Sequence, residues 1–354
     1  MDRGRRRCLK AGAAGGLGAA LHLAGCARNL AQREESFVFG TRVEVLVWGQ
    51  PAAAARAALA EVLREFDRLH HLLHAWQPSA LFEVNQAIGA GRTAQCPAEV
   101  GTLLAAAAVL ARRGDYLFDP GIGRLIALWG FQADEFKPVL PDAAELARLV
   151  RAHPSIADIA ISPEHTEIRC AKPEVALDLG GYAKGYALDR AAALLRGAGV
   201  RDALVNIGGN ILALGSKGGT PWRVGLQHPR LPQPMASLDL RDGEAIGTSG
   251  DYQRYFELGG RRYCHIIDPR DGMPVMHTQA VSVLVTLREG AGALSDAASK
   301  PLFVAGAAPW RDLARSLGVD HALRVDAAGK IQLTQTMAER LHWEIERPAL
   351  EVVQ

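Results

Sequence analysis

The chain has 354 residues, of which 49% are hydrophobic, and its formal net charge at pH 7 is +2. This length and apolar content allow a substantial buried core, in one large domain or in two lobes around a cleft, and exclude disorder for most of the chain. The small net charge and the lack of a basic stripe interleaved with aromatic residues argue against nucleic acid as a partner.

The first 26 residues have the pattern of an export signal. Residues 5–10 read RRRCLK, and a short apolar run follows that ends at residues 23–26, LAGC. The run is too short to span a membrane and is flanked by small residues, which is typical of a signal peptide. Residues 5–10 resemble a twin-arginine signal and residues 23–26 resemble a lipobox. This predicts export and a lipid anchor on Cys26 at the periplasmic face of a membrane. The alternatives are a plain cleaved signal with a chance cysteine and export by the general route.

After the signal, residues 27–36 are predicted to form a polar tether and residues 37–354 the folded domain. Alternating apolar and polar residues predict a half-buried strand over residues 41–47. Apolar residues at helical spacing and terminal signals predict helices that begin at Pro51 and that span residues 97–113, 142–152 and 185–198. Apolar runs between Gly and Pro turns predict further strands over residues 203–207, 211–214, 223–226, 265–267 and 281–287. The mixture indicates the α+β class.

Two glycine-rich segments are candidates for anion binding. Residues 178–186 read DLGGYAKGY directly before a predicted helix, and residues 206–210 read NIGGN. A loop that enters a helix N-terminus presents backbone N–H groups and partial positive charge, and Lys184 adds a full charge, so a pyrophosphate is the expected ligand. Neither segment matches the dinucleotide or Walker patterns. Tight packing turns are the alternative.

His265 and Asp268 are candidates for proton transfer. A histidine can accept a proton near neutral pH, and a carboxylate three positions on can orient it or act as the base. A purely structural hydrogen-bonded pair is the alternative. The remaining cysteines, Cys96, Cys170 and Cys264, are widely spaced; they predict no metal cluster and leave one disulfide open.

In order and spacing, these motifs resemble the ApbE family, the FAD:protein FMN transferases. The resemblance runs over almost the whole mature chain, from residues 39–41 (FGT, where the family usually has MGT) to residues 303–306 (FVAG). The blocks between them are Ser79, Asn85, residues 118–120 (FDP), residues 129–131 (WGF), residues 178–185 with Asp189, residues 206–209 (NIGG), residues 248–252 (TSGDY), residues 265–269 (HIIDP) and Asp296.

The resemblance implies a two-lobed, T-fold-like architecture with FAD in a cleft between the lobes. The positions that contact FAD in the family are Phe39, Trp76, Leu117, Phe118, Asp119, Asp178, Lys184 and Ile267. An aromatic face such as that of Trp76 can stack on a flavin or adenine ring, at about 1 kcal/mol beyond area burial. A core tryptophan is the alternative.

The resemblance also implies a divalent metal, usually Mg²⁺, at the positions of Gly181, Asp296 and Lys300, where the family has Thr at the last. A protonated lysine has no lone pair for a cation, and the following Pro301 is expected to push Lys300 out of helical geometry. Three interpretations follow: the Lys300 ammonium replaces the ion, Ser299 supplies the missing oxygen, or the site holds FAD without turnover.

The activity implied is transfer of FMN from FAD to a Thr or Ser hydroxyl of an exported or membrane-bound acceptor flavoprotein, with release of AMP. Lys184 would stabilise the phosphate oxygens, and His265 or Asp268 would remove the hydroxyl proton. The alternatives are a pyrophosphatase that splits FAD into FMN and AMP, and a lipoprotein that binds FAD without chemistry.

Overall fold

The structure is a computed structural model that describes residues 31–133, 135–346 and 350–353. The predicted signal peptide and Cys26 lie outside these residues. The helices are α1 (Ala52–Leu73), α2 (Ala80–Gly89), α3 (Ala98–Arg113), α4 (Gly123–Leu128), α5 (Ala143–Ala152), α6 (Ala183–Gly197), α7 (Ala291–Ala305), α8 (Trp310–Leu317) and α9 (Gln335–Ala338). The strands are β1 (Gln32–Val38), β2 (Thr41–Trp48), β3 (Ala94–Gln95), β4 (Ile159–Ile161), β5 (Glu167–Cys170), β6 (Asp202–Ile207), β7 (Asn210–Leu214), β8 (Trp222–Gln227), β9 (Pro234–Leu240), β10 (Ala245–Gly250), β11 (Tyr255–Leu258), β12 (Arg261–Cys264), β13 (Thr278–Val285), β14 (His321–Asp326), β15 (Ile331–Thr334), β16 (His342–Trp343) and β17 (Leu350–Val353).

A large sheet forms the centre of the described region, with the strand order β1-β2-β6-β7-β10-β13-β14-β15-β17. Strand β15 pairs with β17 in parallel, and the other neighbours are antiparallel. Alternate residues face opposite sides, as the pleat requires: Val43 and Val45 of β2 enter the core that α1, α6 and α7 cover, whereas Leu46 packs against β8 and β9. The α+β prediction is confirmed.

Most predicted elements are present within about two residues. Pro51 precedes the first residue of α1, and the predictions over residues 97–113, 142–152 and 185–198 correspond to α3, α5 and α6. The predicted strands in the first half of the sheet are β2, β6 and β7, and the prediction over residues 223–226 corresponds to β8. Strand β13 begins at Thr278 and ends at Val285, earlier than predicted.

Two local predictions are wrong. Residues 32–36, expected in the tether, belong to β1, which pairs with β2 along its whole length. Most of their side chains are exposed, so the strand is held by its backbone ladder and carries no apolar pattern. Residues 265–267 do not form a strand: Ile267 makes one isolated bridge to Pro274, because the chain turns back immediately afterwards through the Gly272 N–H to Asp268 O bond.

The prediction that Pro301 displaces Lys300 from helical geometry is also wrong. Helix α7 continues through Pro301 to Ala305, and Lys300 lies one turn after Asp296 on the same face. Proline in a helix interior costs about 3 kcal/mol in isolation. Here almost every residue of α7 is buried, so tertiary packing holds the helix in place.

Two glycines allow the backbone of α7 to touch its neighbours. A Cβ atom on Gly185 of α6 would lie 2.2 Å from the carbonyl oxygen of Gly292, and one on Gly247 of β10 would lie 2.4 Å from that of Ser295. Any larger residue at either position must move the helix. These contacts fix α7 between α6 and the sheet.

No helix among the described residues is long and apolar enough to cross a membrane. Cys96, Cys170 and Cys264 are free thiols, so the disulfide that the sequence left open is not formed. Burial raises the pKa of the Cys264 thiol to about 12, which keeps this thiol protonated near neutral pH.

Candidate functional site

The glycine-rich residues 178–182 form a tight turn that leads directly into α6. Asp178 Oδ1 accepts a hydrogen bond from Gly180 N at 2.8 Å, and Lys184, in the first turn of the helix, donates from Nζ to Gly180 O at 2.9 Å. The predicted loop at a helix N-terminus is therefore present. The lysine folds back over the turn and places its charge beside it.

Asp296 of α7 lies at the base of this turn and is fully buried. Its Oδ2 accepts a hydrogen bond from Gly185 N at 2.9 Å and lies 3.8 Å from Lys184 Nζ, and its Oδ1 contacts Lys300 Nζ. Burial opposes ionisation, but the charges of Lys184 and Lys300 and the hydrogen bonds outweigh it and hold the pKa of Asp296 below its usual value. The N–H group of Gly185, at the start of α6, was expected to face a ligand. It donates instead to the carboxylate of Asp296, within the protein.

Lys300 completes the cluster. Its Nζ donates to Asp296 O at 2.8 Å as well as contacting Oδ1, and its stem passes 3.3 Å from where a Cβ atom of Gly181 would lie. Burial lowers the pKa of Lys300 to about 8, although Asp296 counteracts the effect. The structure therefore brings Gly181, Asp296 and Lys300 together, as the sequence predicted for a metal site, but two of them form an ion pair.

These residues do not fit a divalent cation. An ammonium group cannot act as a ligand, and the described residues contain no cluster of three His, Cys, Asp or Glu side chains suited to a metal. Ser299 does not replace the missing oxygen, because its hydroxyl donates to Asp296 O at 2.7 Å and pairs with Ser249 Oγ of β10 at 2.6 Å. Of the three interpretations, Lys300 in place of the ion agrees with this geometry.

Asp119 stabilises its own loop through hydrogen bonds. Its Oδ1 accepts hydrogen bonds from Gly121 N at 2.7 Å and Ile156 N at 2.8 Å, and its Oδ2 accepts one from Ser155 Oγ. Burial raises the pKa of Asp119 despite these bonds. Its carboxylate is thus engaged within the protein, and it positions the neighbouring Phe118.

The loop of Phe118 lies against the glycine turn. The ring of Phe118 is 3.0 Å from where a Cβ atom of Gly181 would lie, and Asp178 N donates to Pro120 O at 2.8 Å. Leu117 is buried beside Phe118. The structure therefore brings these predicted FAD contacts together.

Asn85 of α2 also supports the turn, a role that sequence reasoning missed. Its side chain accepts from Leu177 N at 2.6 Å and donates to Leu177 O at 2.9 Å, directly before Asp178. The only signal was the place of Asn85 in the family pattern. A half-buried amide inside a helix forms these two bonds because both backbone groups would otherwise lack partners.

Two histidines at the C-terminal end of α1, His70 and His74, lie between Phe39 and Trp76 in a series of aromatic contacts. The ring centroids are 5.9 Å apart for Phe39 and His70, 5.1 Å for His70 and His74, and 4.5 Å for His74 and Trp76. Phe39 lies at the tip of the β1–β2 hairpin with a φ of 56°, and Gly40 follows with a φ of 67°. Positive φ at both turn residues is typical of a type I′ hairpin, which holds the Phe39 ring against α1.

His265 and Asp268 do not form the expected pair. His265 Nδ1 lies 3.2 Å from Arg254 O, whereas the Asp268 carboxylate binds Arg270 through Nε at 2.9 Å and Nη2 at 2.7 Å. Burial and the charges of Arg254 and Lys184 lower the pKa of His265 to about 3, so the imidazole is neutral near pH 7. A proton on Nδ1 directed at the Arg254 carbonyl leaves the lone pair of Nε2 available.

Ile267 is buried in a smaller apolar cluster with Trp129 and Phe131. Gln132, which follows Phe131 of this cluster, contacts the glycine turn: its Nε2 donates to Asp178 Oδ2 at 3.3 Å. Of the predicted site residues, the structure brings Phe118, Asp178, Gly181, Lys184, Asp296 and Lys300 together at the start of α6. His265 and Asp268 are each bonded to another partner, Arg254 and Arg270.

A glycine turn at a helix N-terminus with two lysines, on an α+β scaffold, is an arrangement typical of proteins that bind phosphorylated ligands. The model of the ApbE family matches residues 39–323. The chain therefore belongs to the ApbE family, which confirms the resemblance seen in the sequence.

Relatives of this chain in sequence carry the name FAD:protein FMN transferase. The chain is 41% identical over 345 residues to the FAD:protein FMN transferase of Rhodobacter capsulatus, covering 96% of this chain and 64% of that relative's length. It is 33% identical over 301 residues to the FAD:protein FMN transferase of Treponema pallidum, covering 80% of this chain and 81% of the relative.

Solved structures confirm the fold. The ApbE protein of Thermotoga maritima is 29% identical, with a TM-score of 0.80, and the match covers 90% of this chain and 100% of that one. The flavin transferase ApbE of Vibrio cholerae is 26% identical, with a TM-score of 0.74, and the match covers 88% and 100%.

Proposed function

We propose that this chain transfers FMN from FAD to a hydroxyl group of an acceptor flavoprotein, with release of AMP. Two of its relatives carry the name FAD:protein FMN transferase. The observation that carries the proposal is the pair of ammonium groups, from Lys184 and Lys300, at the glycine turn that begins α6.

The charges of this cluster suit a diphosphate. Two lysines and the carboxylate of Asp296 leave one net positive charge in a partly buried space. The side chains of Lys184 and Lys300 are 24% and 15% exposed, whereas Asp296 is 0% exposed. The ammonium groups therefore reach solvent and the carboxylate does not. The doubly charged pyrophosphate of FAD is attracted more strongly in such a setting than in open water.

The proposed reaction is a single displacement at the FMN-side phosphorus. The acceptor oxygen forms a new bond to this phosphorus, the bond from phosphorus to the bridging oxygen breaks, and AMP leaves with that oxygen. Transfer of this kind depends mainly on positioning and on neutralising the phosphate oxygens, the role assigned to Lys184 and Lys300.

The proton of the acceptor hydroxyl goes to His265 in this scheme. Its imidazole is neutral, and the Arg254 carbonyl at 3.2 Å from Nδ1 favours the tautomer with a free Nε2 lone pair. The negative charge of bound FAD offsets the nearby lysines and makes the imidazole more basic. Asp268 is an unsuitable base because Arg270 holds its carboxylate.

The rings and loops around the turn are proposed to hold the rest of FAD. Trp76 and Phe39 offer aromatic faces for a flavin or adenine ring, and the loop fixed by Asp119 presents the Phe118 ring beside the turn. The further contacts proposed from the family pattern are Leu117, Asp178 and Ile267.

We also propose that the chain acts outside the cytoplasm, anchored through a lipid on Cys26. The support is the sequence of residues 5–10 and 23–26. An acceptor in the same compartment would be an exported or membrane-bound redox protein. Replacing Cys26 by Ala should move the protein from the membrane fraction to the soluble periplasmic fraction; unchanged membrane association would contradict the anchor.

The test of function is incubation of the purified chain with FAD and an exported acceptor flavoprotein in its flavin-free form. Mass spectrometry of the acceptor and chromatography of the nucleotides should show covalent FMN and an equal amount of AMP. Free FMN with AMP would identify a pyrophosphatase instead, and unchanged bound FAD would identify a binding protein. Lys330→Ala, which removes a surface lysine paired with Glu351, is the matched control and should leave transfer unchanged.

A further inference from the structure

We propose that Lys300 supplies, as a fixed ammonium group, the positive charge that a divalent cation would bring to the diphosphate, so that this chain binds FAD without a metal. The proposal rests on the proposed function, since it concerns the same FAD site. It departs from the metal-dependent site that the family resemblance implies.

The first support is the position of the ammonium group. Helix α7 places Lys300 one turn after Asp296, and Nζ contacts both the carboxylate Oδ1 and the backbone oxygen of that residue. The stem lies against Gly181. The charge is therefore located between the buried carboxylate and the glycine turn, where the family pattern positions the ion.

The second support is the competition that an ion would meet. The other oxygen of Asp296 already accepts from Gly185 N and faces Lys184 Nζ at 3.8 Å. A Mg²⁺ ion prefers six oxygen ligands in near-octahedral geometry, and here it would lie against two ammonium groups. The hydroxyl of Ser299, the alternative oxygen, donates to Asp296 O and is paired with Ser249 Oγ.

The third support is the hydrogen-bonding capacity of the ammonium group. It has three N–H donors, and two of them are directed at the backbone and carboxylate oxygens of Asp296. One donor remains for a phosphate oxygen on the partly exposed side. A lysine also provides one charge where Mg²⁺ provides two, so the site carries a positive charge near neutral pH without an ion but neutralises the diphosphate less completely.

The experiment measures FAD affinity by flavin fluorescence in EDTA and in millimolar Mg²⁺, and ion binding by the electron paramagnetic resonance of Mn²⁺. Wild type should bind FAD equally in both conditions, within about twofold, and should not immobilise Mn²⁺ at this site. Lys300→Thr should bind FAD on the order of 10- to 100-fold more weakly in EDTA, with recovery in Mg²⁺ and with bound Mn²⁺. Lys330→Thr, which changes a surface lysine directly before β15, should behave as wild type.

The wild-type measurement decides the matter even if Lys300→Thr folds poorly. FAD binding by wild type that is lost in EDTA, or Mn²⁺ held beside Asp296, would overturn the proposal and leave the transferase function standing. Failure to bind FAD in both conditions would overturn both. Metal-independent binding without any FMN transfer would support the role of Lys300 and would refute the transferase function instead.

Discussion

Replacing Gly185 by Ala tests whether the contact between α6 and α7 builds the site. The added Cβ atom would lie 2.2 Å from Gly292 O and 2.6 Å from Asp296 Cβ. Relief of this overlap requires the helices to separate by roughly 1 Å. Overpacking of this kind costs about 1–3 kcal/mol. The shift also stretches the 2.9 Å bond from Gly185 N to Asp296, so FAD affinity should fall together with stability.

Urea unfolding and FAD fluorescence titration measure the two effects. Gly197→Ala is the matched control in the same helix, because a Cβ atom there meets nothing within 4 Å. It should leave FAD affinity unchanged and raise the free energy of unfolding by up to about 1 kcal/mol. If Gly185→Ala were as stable as Gly197→Ala and bound FAD equally well, the close approach of the helices would not be what shapes the site.

Three further predictions concern charges around the turn. Lys184→Ala should weaken FAD binding by roughly tenfold, and more at low than at high salt, since salt screens a partly exposed charge; equal losses at both would argue against a phosphate contact. Asp189 accepts from Gly292 N and Ala293 N, and burial raises its pKa from 3.8 to about 6, so its stabilising contribution is complete below pH 3.8 and is lost as pH rises through 6. Asp189→Asn should therefore flatten the pH dependence of urea unfolding in this window, and an unchanged slope would exclude Asp189 as its source. Because the pKa of His265 is lowered to about 3, kcat/KM should show no ionisation near pH 6.5; an acid limb there that His265→Gln abolishes would contradict a neutral imidazole.

The helices α1, α3, α5 and α6 could be predicted from the sequence, whereas the buried α7 and the shorter α2, α4, α8 and α9 were missed. Helix α1 buries Leu59, Phe66 and Leu69 at helical spacing. Helix α7 is buried on nearly all sides and contains Pro301, so it shows neither an amphipathic period nor a continuous helical signal. Strand β1 could not be predicted for the opposite reason. Most of its side chains are exposed, and its stability comes from backbone pairing with β2.

The sequence predicted which residues lie in the site better than it predicted the hydrogen-bond and ion-pair partners of those residues. The family pattern placed Gly181, Asp296 and Lys300 together, and they are together. That Asp119 would bind the backbone at Ile156 could not be foreseen, since only the fold brings these segments into contact. The pairing of Asp268 with Arg270 could be predicted locally, because the two residues are only two positions apart in a turn that contains Pro269 and Gly272.

Binding of a diphosphate by the lysines at the glycine turn is tested most directly by comparing the affinities of the protein for FAD and riboflavin. The two ligands share the riboflavin portion, but riboflavin lacks both the diphosphate and the adenosine, and the lysine variants separate the contribution of the diphosphate from that of the adenosine. Wild type in EDTA should bind FAD on the order of 100-fold more tightly, and the double variant Lys184→Ala, Lys300→Thr should lose most of this preference. Equal affinity for both ligands in wild type, or an undiminished preference in the double variant, would contradict the account.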